Sequence, residues 1–337
     1  MSVSLLTARS LTETVNTIVP ANQFVLDLIF GFRKQHFTEN VDIPIKRRKR
    51  RMAKATRRTS PAGVVVKGGE EIKTLKLPHF REKMNSSAAA ALSQTGQGGL
   101  YAGQSQAAAQ KTILVENLAE LKDRTIVSME LMACQALKGV VTVIGVDISF
   151  TVDFGFESSH LPVKSGTAKW DSTAPNIVKD IRAWKKIVLK DCGKSPTIGI
   201  LGTSAADAFL TDEKVMKGLN NLNYKVGVLN LDSGEANYLG RYMNIDWYEY
   251  AQEYVDDNDD EQQMFSPDDV SLIAPSNDFV RNFAPVVDNK GNLNPVEFFS
   301  KSWEEEDPSG TWILVETNPL TSVNNPGRVL TATVTGS

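Results

Sequence analysis

Val41-Asp42-Ile43-Pro44-Ile45-Lys46-Arg47-Arg48-Lys49-Arg50-Arg51 is the stretch on which the fold turns. Val41, Ile43 and Ile45 alternate with Asp42 and Pro44, a period of two that predicts a strand. The next thirteen residues have nothing to bury. Lys46 to Arg58 holds nine Lys or Arg in thirteen residues, no acid and almost no apolar side chain. Ser60-Pro61-Ala62-Gly63 then signals a turn, and Val64 to Leu77 reads as a second extended arm interrupted by Gly68-Gly69. Two extended arms joined through a turn make a long hairpin. A core cannot hold its basic part, which is expected to project from the body.

The formal charge hides this asymmetry. The 337 residues sum to −3, and without those nine cations the remainder carries −12. A chain built this way attracts nucleic acid through the basic run, or acidic surfaces of its own copies. At 41 % hydrophobic and 23 % charged, the rest is ordinary for a soluble protein with a real core, long enough for two moderate domains or one elaborate one. No apolar run approaches the ~18 residues of a membrane span, and Asp27 breaks the best candidate, Phe24 to Phe32. Nothing resembles an export signal. Cys134 and Cys192 are unpaired in spacing and read as reduced, buried thiols of a cytoplasmic product.

Outward toward the N-terminus, Phe24-Val25-Leu26-Asp27-Leu28-Ile29-Phe30 is an apolar segment too short to form its own domain, so it must dock on something else. In the other direction, Asn85 to Gln110 has the Ala, Gly, Ser and Gln content of a connection. Leu114, Leu118, Leu121, Thr125, Met129, Met132 and Ala136 then recur every three or four positions up to Gly139, a C-terminal cap. The spacing predicts a helix over about 105–138, about 50 Å long, lying against a sheet that begins with Val140 to Val146 and Ile148 to Phe154. A second unit opens after Trp170, with a helix through Ile177, Ile181, Trp184 and Val188, a strand over Thr197 to Gly202, a helix near Ala205 to Leu210, and strands near Tyr224 to Leu229, Met243 to Tyr250 and Val270 to Ala274. The β-rich end, Thr311 to Val334, is expected to break at Pro319 and Pro326 and to return to the first sheet. The fold class is α+β.

Chemistry-bearing constellations are weak. The basic run could neutralise several phosphates, but it lacks stacking aromatics and any recognition helix. A cationic arm lying on an acidic partner surface is the leading reading. Asp256-Asp257-Asn258-Asp259-Asp260-Glu261 fails the calcium-loop pattern, with Glu261 where Gly is needed and Pro267 where a bidentate Glu is needed; it reads as a solvated hairpin loop. Glu304-Glu305-Glu306-Asp307 is a solvated turn or a docking surface for a neighbouring basic arm. His36, His79 and His160 lack metal-site spacing. Gly199 and Gly202 lack the phosphate-loop Lys, and Asp232-Ser233-Gly234 lacks the nucleophile-elbow frame. Trp170, Trp184, Trp247, Trp303 and Trp312 read as core or interface anchors. No catalytic, cofactor-binding or metal residue is expected, and no enzyme.

The order of these features resembles the lambda-type major capsid proteins, the capsid protein E family. Pro20 with Phe24 to Phe30 is similar to that family's N-terminal anchor, and Val41-Asp42-Ile43, Arg51-Met52-Ala53 and Ser60 to Val65 to its extended loop, ending near Leu75-Lys76-Leu77-Pro78. Glu116 to Gly139 resembles the spine helix, Ile148 to Gly155 the strand after it, and Gly166 to Trp170 with Pro175 and Ile181 to Trp184 the start of the axial domain. Trp312 to Pro319 with Asn325-Pro326 resembles the closing segment. The dense basic loop is a departure from the pattern.

The resemblance implies a Hong Kong 97-like capsid fold: an N-terminal arm over 1–40, an extended loop over 41–84, a peripheral domain over 85–170, an axial domain over 171–310 and a C-terminal return over 311–337. It implies hexamers and pentamers of a virion shell assembled in the host cytoplasm, with scaffold, portal and decoration proteins as partners, non-specific contact with packaged double-stranded DNA, no cofactor and no membrane. Inter-subunit contact then falls to Lys46, Arg47, Arg48, Lys49, Arg50, Arg51, Arg57 and Arg58, and the acidic docking surface to Glu304, Glu305, Glu306 and Asp307. Two alternatives stay open: a cytoplasmic nucleic-acid-binding protein using 46–58, and an encapsulin-like compartment shell.

Overall fold

A computed structural model describes residues 8–18, 23–46, 52–53, 55, 70–87, 106–145, 149–173, 175–222, 236–256, 259–287, 293–306 and 309–336. The alternating stretch forms strand β2 (Asn40–Lys46), paired antiparallel with β3 (Glu70–Lys76) from Asn40↔Lys76 to Lys46↔Glu70. This is the root of the expected hairpin. Its apolar set, Val41, Ile43 and Ile45, is fully buried in the main core, as a period of two requires when one face packs inward.

The helix expected over 105–138 is α3 (Gln106–Leu137), about 48 Å long. Gly139, at φ +90°, comes just after it; an added Cβ would meet the Phe156 ring, so the position suits glycine on both counts. Leu114, Leu118, Leu121, Met129, Met132 and Ala136 face the core. They pack on a sheet ordered β1 (Phe32–Gln35), β13 (Phe279–Ala284), β17 (Ser309–Val323), β16 (Phe299–Glu306), with β4 (Phe80–Ser87) also paired to β17. The hairpin β5 (Val140–Ile144) and β6 (Ser149–Asp153) leaves the end of α3. Two short N-terminal helices, α1 (Ala8–Thr17) and α2 (Phe24–Leu28), complete this first core.

The second sheet runs β18 (Val329–Thr333), β12 (Asp269–Ile273), β7 (Ile198–Leu201), β9 (Ile245–Tyr250), β8 (Ala236–Tyr242). Helices α4 (Ile177–Cys192), α5 (Thr203–Thr211) and α6 (Glu213–Leu222) pack beside it around Trp170, Trp184, Phe209 and Trp247. Small hairpins β10 (Glu253–Val255) with β11 (Glu261–Gln263), and β14 (Val286–Val287) with β15 (Leu293–Asn294), complete the strands.

Three expectations change. Pro319 does not break the final strand: β17 runs through it, opposite Phe283. The pairing with β16 stops at Glu316, so at Pro319 the strand has a neighbour on one side only, where a missing N–H is tolerated. The chain rejoins the first sheet with β13 at Phe279, well before 311, and its last strand leaves again, since β18 pairs with β12 in the second sheet. Met243 and Asn244 belong to no strand; at φ 54° and 63° they form the tight turn between β8 and β9. The strand expected over 224–229 lies outside the described residues.

His160, in a 3₁₀ turn, is buried with Nδ1 2.6 Å from the Val329 carbonyl and Nε2 2.8 Å from Asp191. Through these two contacts the ring is a structural tie between α4 and β18. Gly202 is pressed against the Ser266–Pro267 backbone, where an added Cβ would stand 2.2 Å from the Ser266 oxygen. Gly202→Ala is expected to destabilise the subunit by about 1–3 kcal/mol, read as a lower urea midpoint at unchanged slope; an unchanged midpoint would contradict this packing.

Candidate inter-subunit surfaces

Among the described residues of the basic arm, Lys46 at its root is tied to the body. The Lys46 backbone N–H donates to the Asn324 carbonyl, and its ammonium lies 3.8 Å from Asp278, which also accepts from Arg328 at 2.8 Å. Arg47, Arg48, Lys49, Arg50, Arg51, Arg57 and Arg58 lie outside the described residues. Met52, Ala53 and Ala55 are exposed, Met52 at 94 %.

Three of the acidic candidates, Glu304, Glu305 and Glu306, sit at the far end of β16 in the β16–β17 ribbon. Glu304 and Glu305 are exposed, opposite Thr311 and Gly310. Glu306 pairs through its backbone with Ser309, and Asp307 lies outside the described residues. The ribbon is stiffened just below them by Trp303 stacked on Trp312, with centroids 6.3 Å apart and planes 13° from parallel, and by the Lys83 ammonium 4.3 Å above the Trp312 ring. Of the five tryptophans, Trp170, Trp184 and Trp247 are buried in the second core, while Trp303 is exposed and Trp312 half-buried. Asp256, Asp259 and Asp260 lie between β10 and β11, with the Asp260 N–H donating to the Asp256 carboxylate at 3.0 Å; Asp257 and Asn258 lie outside the described residues. Among the described residues no three His, Cys, Asp or Glu side chains are grouped to hold a metal ion, and no helix is long and apolar enough to cross a membrane.

Sequence reasoning missed the polar junction that docks the N-terminal arm. Glu130 of α3, fully buried, accepts from the Val25 and Leu26 N–H groups at 2.6 and 3.0 Å and from the Tyr250 hydroxyl at 3.0 Å. Arg281 of β13 grips the same short helix from its other end, donating to the Phe30 and Leu26 carbonyls at 2.6 and 2.8 Å and to Asp27 at 2.7 Å. Eight positions before Glu130, buried Lys122 donates to the Val15 and Ile18 carbonyls at the end of α1, at 2.7 and 2.6 Å. Each charge meets the helix end of opposite polarity. The available signal was two charged residues on the apolar face of a helix, Lys122 beside Leu118 and Leu121 and Glu130 beside Met129 and Ala133.

Burial lowers the pKa of Lys122 and raises that of Glu130 to about 7, the latter against the opposing pull of its three hydrogen bonds. Beside it, burial also raises the Cys134 thiol and the Tyr250 phenol. The phenol has one hydrogen and two acceptors within reach, Glu130 and the Met264 sulfur at 3.3 Å, so it donates to one of them at a time.

The model of the phage major capsid protein E family matches residues 7–334. Among solved structures, one described as the capsid protein of a prophage of Escherichia coli CFT073 superposes with a TM-score of 0.73 at 13 % identity, covering 98 % of this chain and 99 % of that one. A phage-related protein from Bordetella bronchiseptica RB50 gives 0.55 at 11 % identity, covering 96 % and 95 %. The capsid of Ralstonia phage GP4 gives 0.51 at 10 %, covering 90 % and 87 %. At such identities the superpositions speak to the fold alone. No curated protein matches.

Because the Glu130 pKa in the fold, about 7, exceeds its ordinary 4.5, the group's contribution is fully present below about 4.5 and is lost as pH rises through about 7. The loss is on the order of 3 kcal/mol. Urea unfolding of the dispersed subunit between pH 4.5 and 8 is expected to show Glu130→Gln gaining on the wild type as pH rises. Parallel curves for the two proteins would refute it.

Proposed function

Because the chain belongs to the phage major capsid protein E family, we propose that it is the head-shell subunit of a tailed bacteriophage, assembling with its own copies into the hexamers and pentamers that enclose a double-stranded DNA genome. Its fold is the α+β, Hong Kong 97-like capsid fold. On this reading the β2–β3 hairpin is the root of the extended loop, and α3 with the first sheet forms the peripheral domain. The second sheet with α4 to α6 forms the axial domain that meets its copies at capsomer centres. The subunit works as part of a virion assembled in the host cytoplasm, alongside scaffold, portal and decoration proteins, and performs no catalysis.

The observation that carries this is the contrast within one hairpin. Val41, Ile43 and Ile45 fix its root in the core, while the nine cations from Lys46 to Arg58 have almost no apolar companions with which to fold back. A rooted arm with a cationic end needs an anionic seat, and a −12 remainder makes the nearest abundant one another copy of the chain. Glu304, Glu305 and Glu306, at the end of a ribbon strand braced by stacked tryptophans, form with Asp307 such a seat for Lys46, Arg47, Arg48, Lys49, Arg50, Arg51, Arg57 and Arg58. Like charge would disfavour the wrong approach and fix the register.

Negative-stain microscopy of the overexpressed chain is expected to show closed shells. The triple variant Arg47→Glu, Arg48→Glu, Arg50→Glu is expected to lower the assembled fraction at least tenfold while the dispersed subunit keeps its circular dichroism and unfolding midpoint. Normal shells from the triple variant would count against the arm's role, and salt-sensitive gel shifts by dispersed wild-type subunits that never assemble would favour a nucleic-acid-binding protein instead.

A further inference from the structure

The solvent face of α4 carries a row of one sign. Lys179, Arg182, Lys186 and Lys190 succeed one another at intervals of three, four and four, and Lys194 stands just beyond the Gly193 cap; all five are exposed. Solvated helix faces ordinarily mix signs, and like charges at these intervals weaken the helix that bears them. The neighbouring acids do not relieve the row. Asp180 is taken by Lys164 at 2.5 Å and by the Trp170 indole at 3.2 Å, and Asp191 by His160 at 2.8 Å. On the elements packed against α4, Asp212 caps α6 through the Lys214 and Val215 N–H groups, Glu213 pairs with Lys217, and Arg328 is held by Asp278. Among the described residues no ion pair reaches any of the five.

The complementary surface lies elsewhere on the same chain. Glu253, Asp259, Asp260 and Glu261 are exposed on the β10–β11 hairpin, and no ion pair joins them to a cation among the described residues. Hydrogen bonds tie its described residues together. The Asp256 N–H donates to the Asp260 carbonyl at 3.0 Å, the Asp259 N–H to the Asp256 carbonyl at 3.1 Å, and the Asp260 N–H to the Asp256 carboxylate at 3.0 Å. The two surfaces stand on different cores. Ile177, Ile181, Trp184 and Val188 fix α4 to the second, whereas Tyr254 and Met264 fix the hairpin to the first.

We propose that the cationic face of α4 on one copy seats the acidic β10–β11 hairpin of the next. Two different patches of one chain that fit each other make a heterologous, head-to-tail contact, which closes into a ring when the rotation allows. The inference rests on the capsid reading, because a capsomer requires a ring. A second copy is favoured over nucleic acid as the occupant because the matching anionic surface is preformed on the chain itself.

The test is a charge swap. Arg182→Glu, Lys186→Glu, Lys190→Glu (the helix variant) and Asp259→Lys, Asp260→Lys, Glu261→Lys (the hairpin variant) are each expected to cut the assembled fraction at least tenfold, with the circular dichroism of the dispersed subunit unchanged. Combining all six changes in one chain is expected to restore assembly to within about twofold of wild type. If the helix variant misfolds, Lys186→Gln with Lys190→Gln takes its place and should raise the sensitivity of assembly to salt. Normal assembly of either variant, or no rescue by the combination, overturns the pairing; shells from the helix variant that form normally but lose packaged DNA overturn it in favour of a nucleic-acid face. If the wild-type chain makes no shells, the capsid reading fails separately. The pairing is then read from salt-sensitive self-association in the ultracentrifuge, which each variant must abolish and the combination restore; a monodisperse wild type overturns it.

Discussion

A helix of five residues has almost no internal hydrogen bonds, so α2 cannot be buried unless the body supplies partners for its ends. Glu130 takes the first N–H groups and Arg281 the last carbonyls. Much of the architecture meets at this junction. Glu130 comes from the long helix, Arg281 from the first sheet, and Tyr250, which donates to the same carboxylate, from the second. The N-terminal segment therefore meets the long helix and both sheets at one junction. Removing one partner leaves a buried charge facing unpaired groups, which costs far more than the pair itself contributes.

Charge is arranged in the same spirit at larger scale. Inside the fold, Lys122, Glu130 and Arg281 are each committed to backbone groups of the arm. Outside it, opposite charges pair in many places, as at Arg124 with Glu82, but a few surfaces carry one sign: cations on the α4 face, anions on β10–β11 and at the end of β16. A folded monomer gains little from such sorting. An assembly gains both attraction between copies and rejection of wrong registers, and it stays responsive to ionic strength.

Much of this was legible in the sequence. The alternation at Val41, Ile43 and Ile45 gave a strand and its buried face, and the 3.6-residue recurrence from Leu114 to Ala136 gave the long helix nearly to its ends, because both signals are local. The Trp184 helix was legible for the same reason. The junction around Glu130 was not, since its partners lie 104 to 120 positions away. Pro319 misled for a related cause: whether a proline ends a strand depends on which side is paired there, a property of the neighbours. The final return was half legible, because two adjacent β segments, Ser309–Val323 and Val329–Thr333, serve different sheets.

That division of the last two strands has a kinetic side. β17 lies at the centre of the first sheet, between β16 on one flank and β4 and β13 on the other, and β18 closes an edge of the second. Neither sheet can reach its full complement until residues 309–333 have left the ribosome, however early the helices form. Contacts of such long sequence separation make folding slow and late. A nascent chain is thus unfinished in both halves at once, so neighbouring chains on one message have no complete half with which to begin building prematurely.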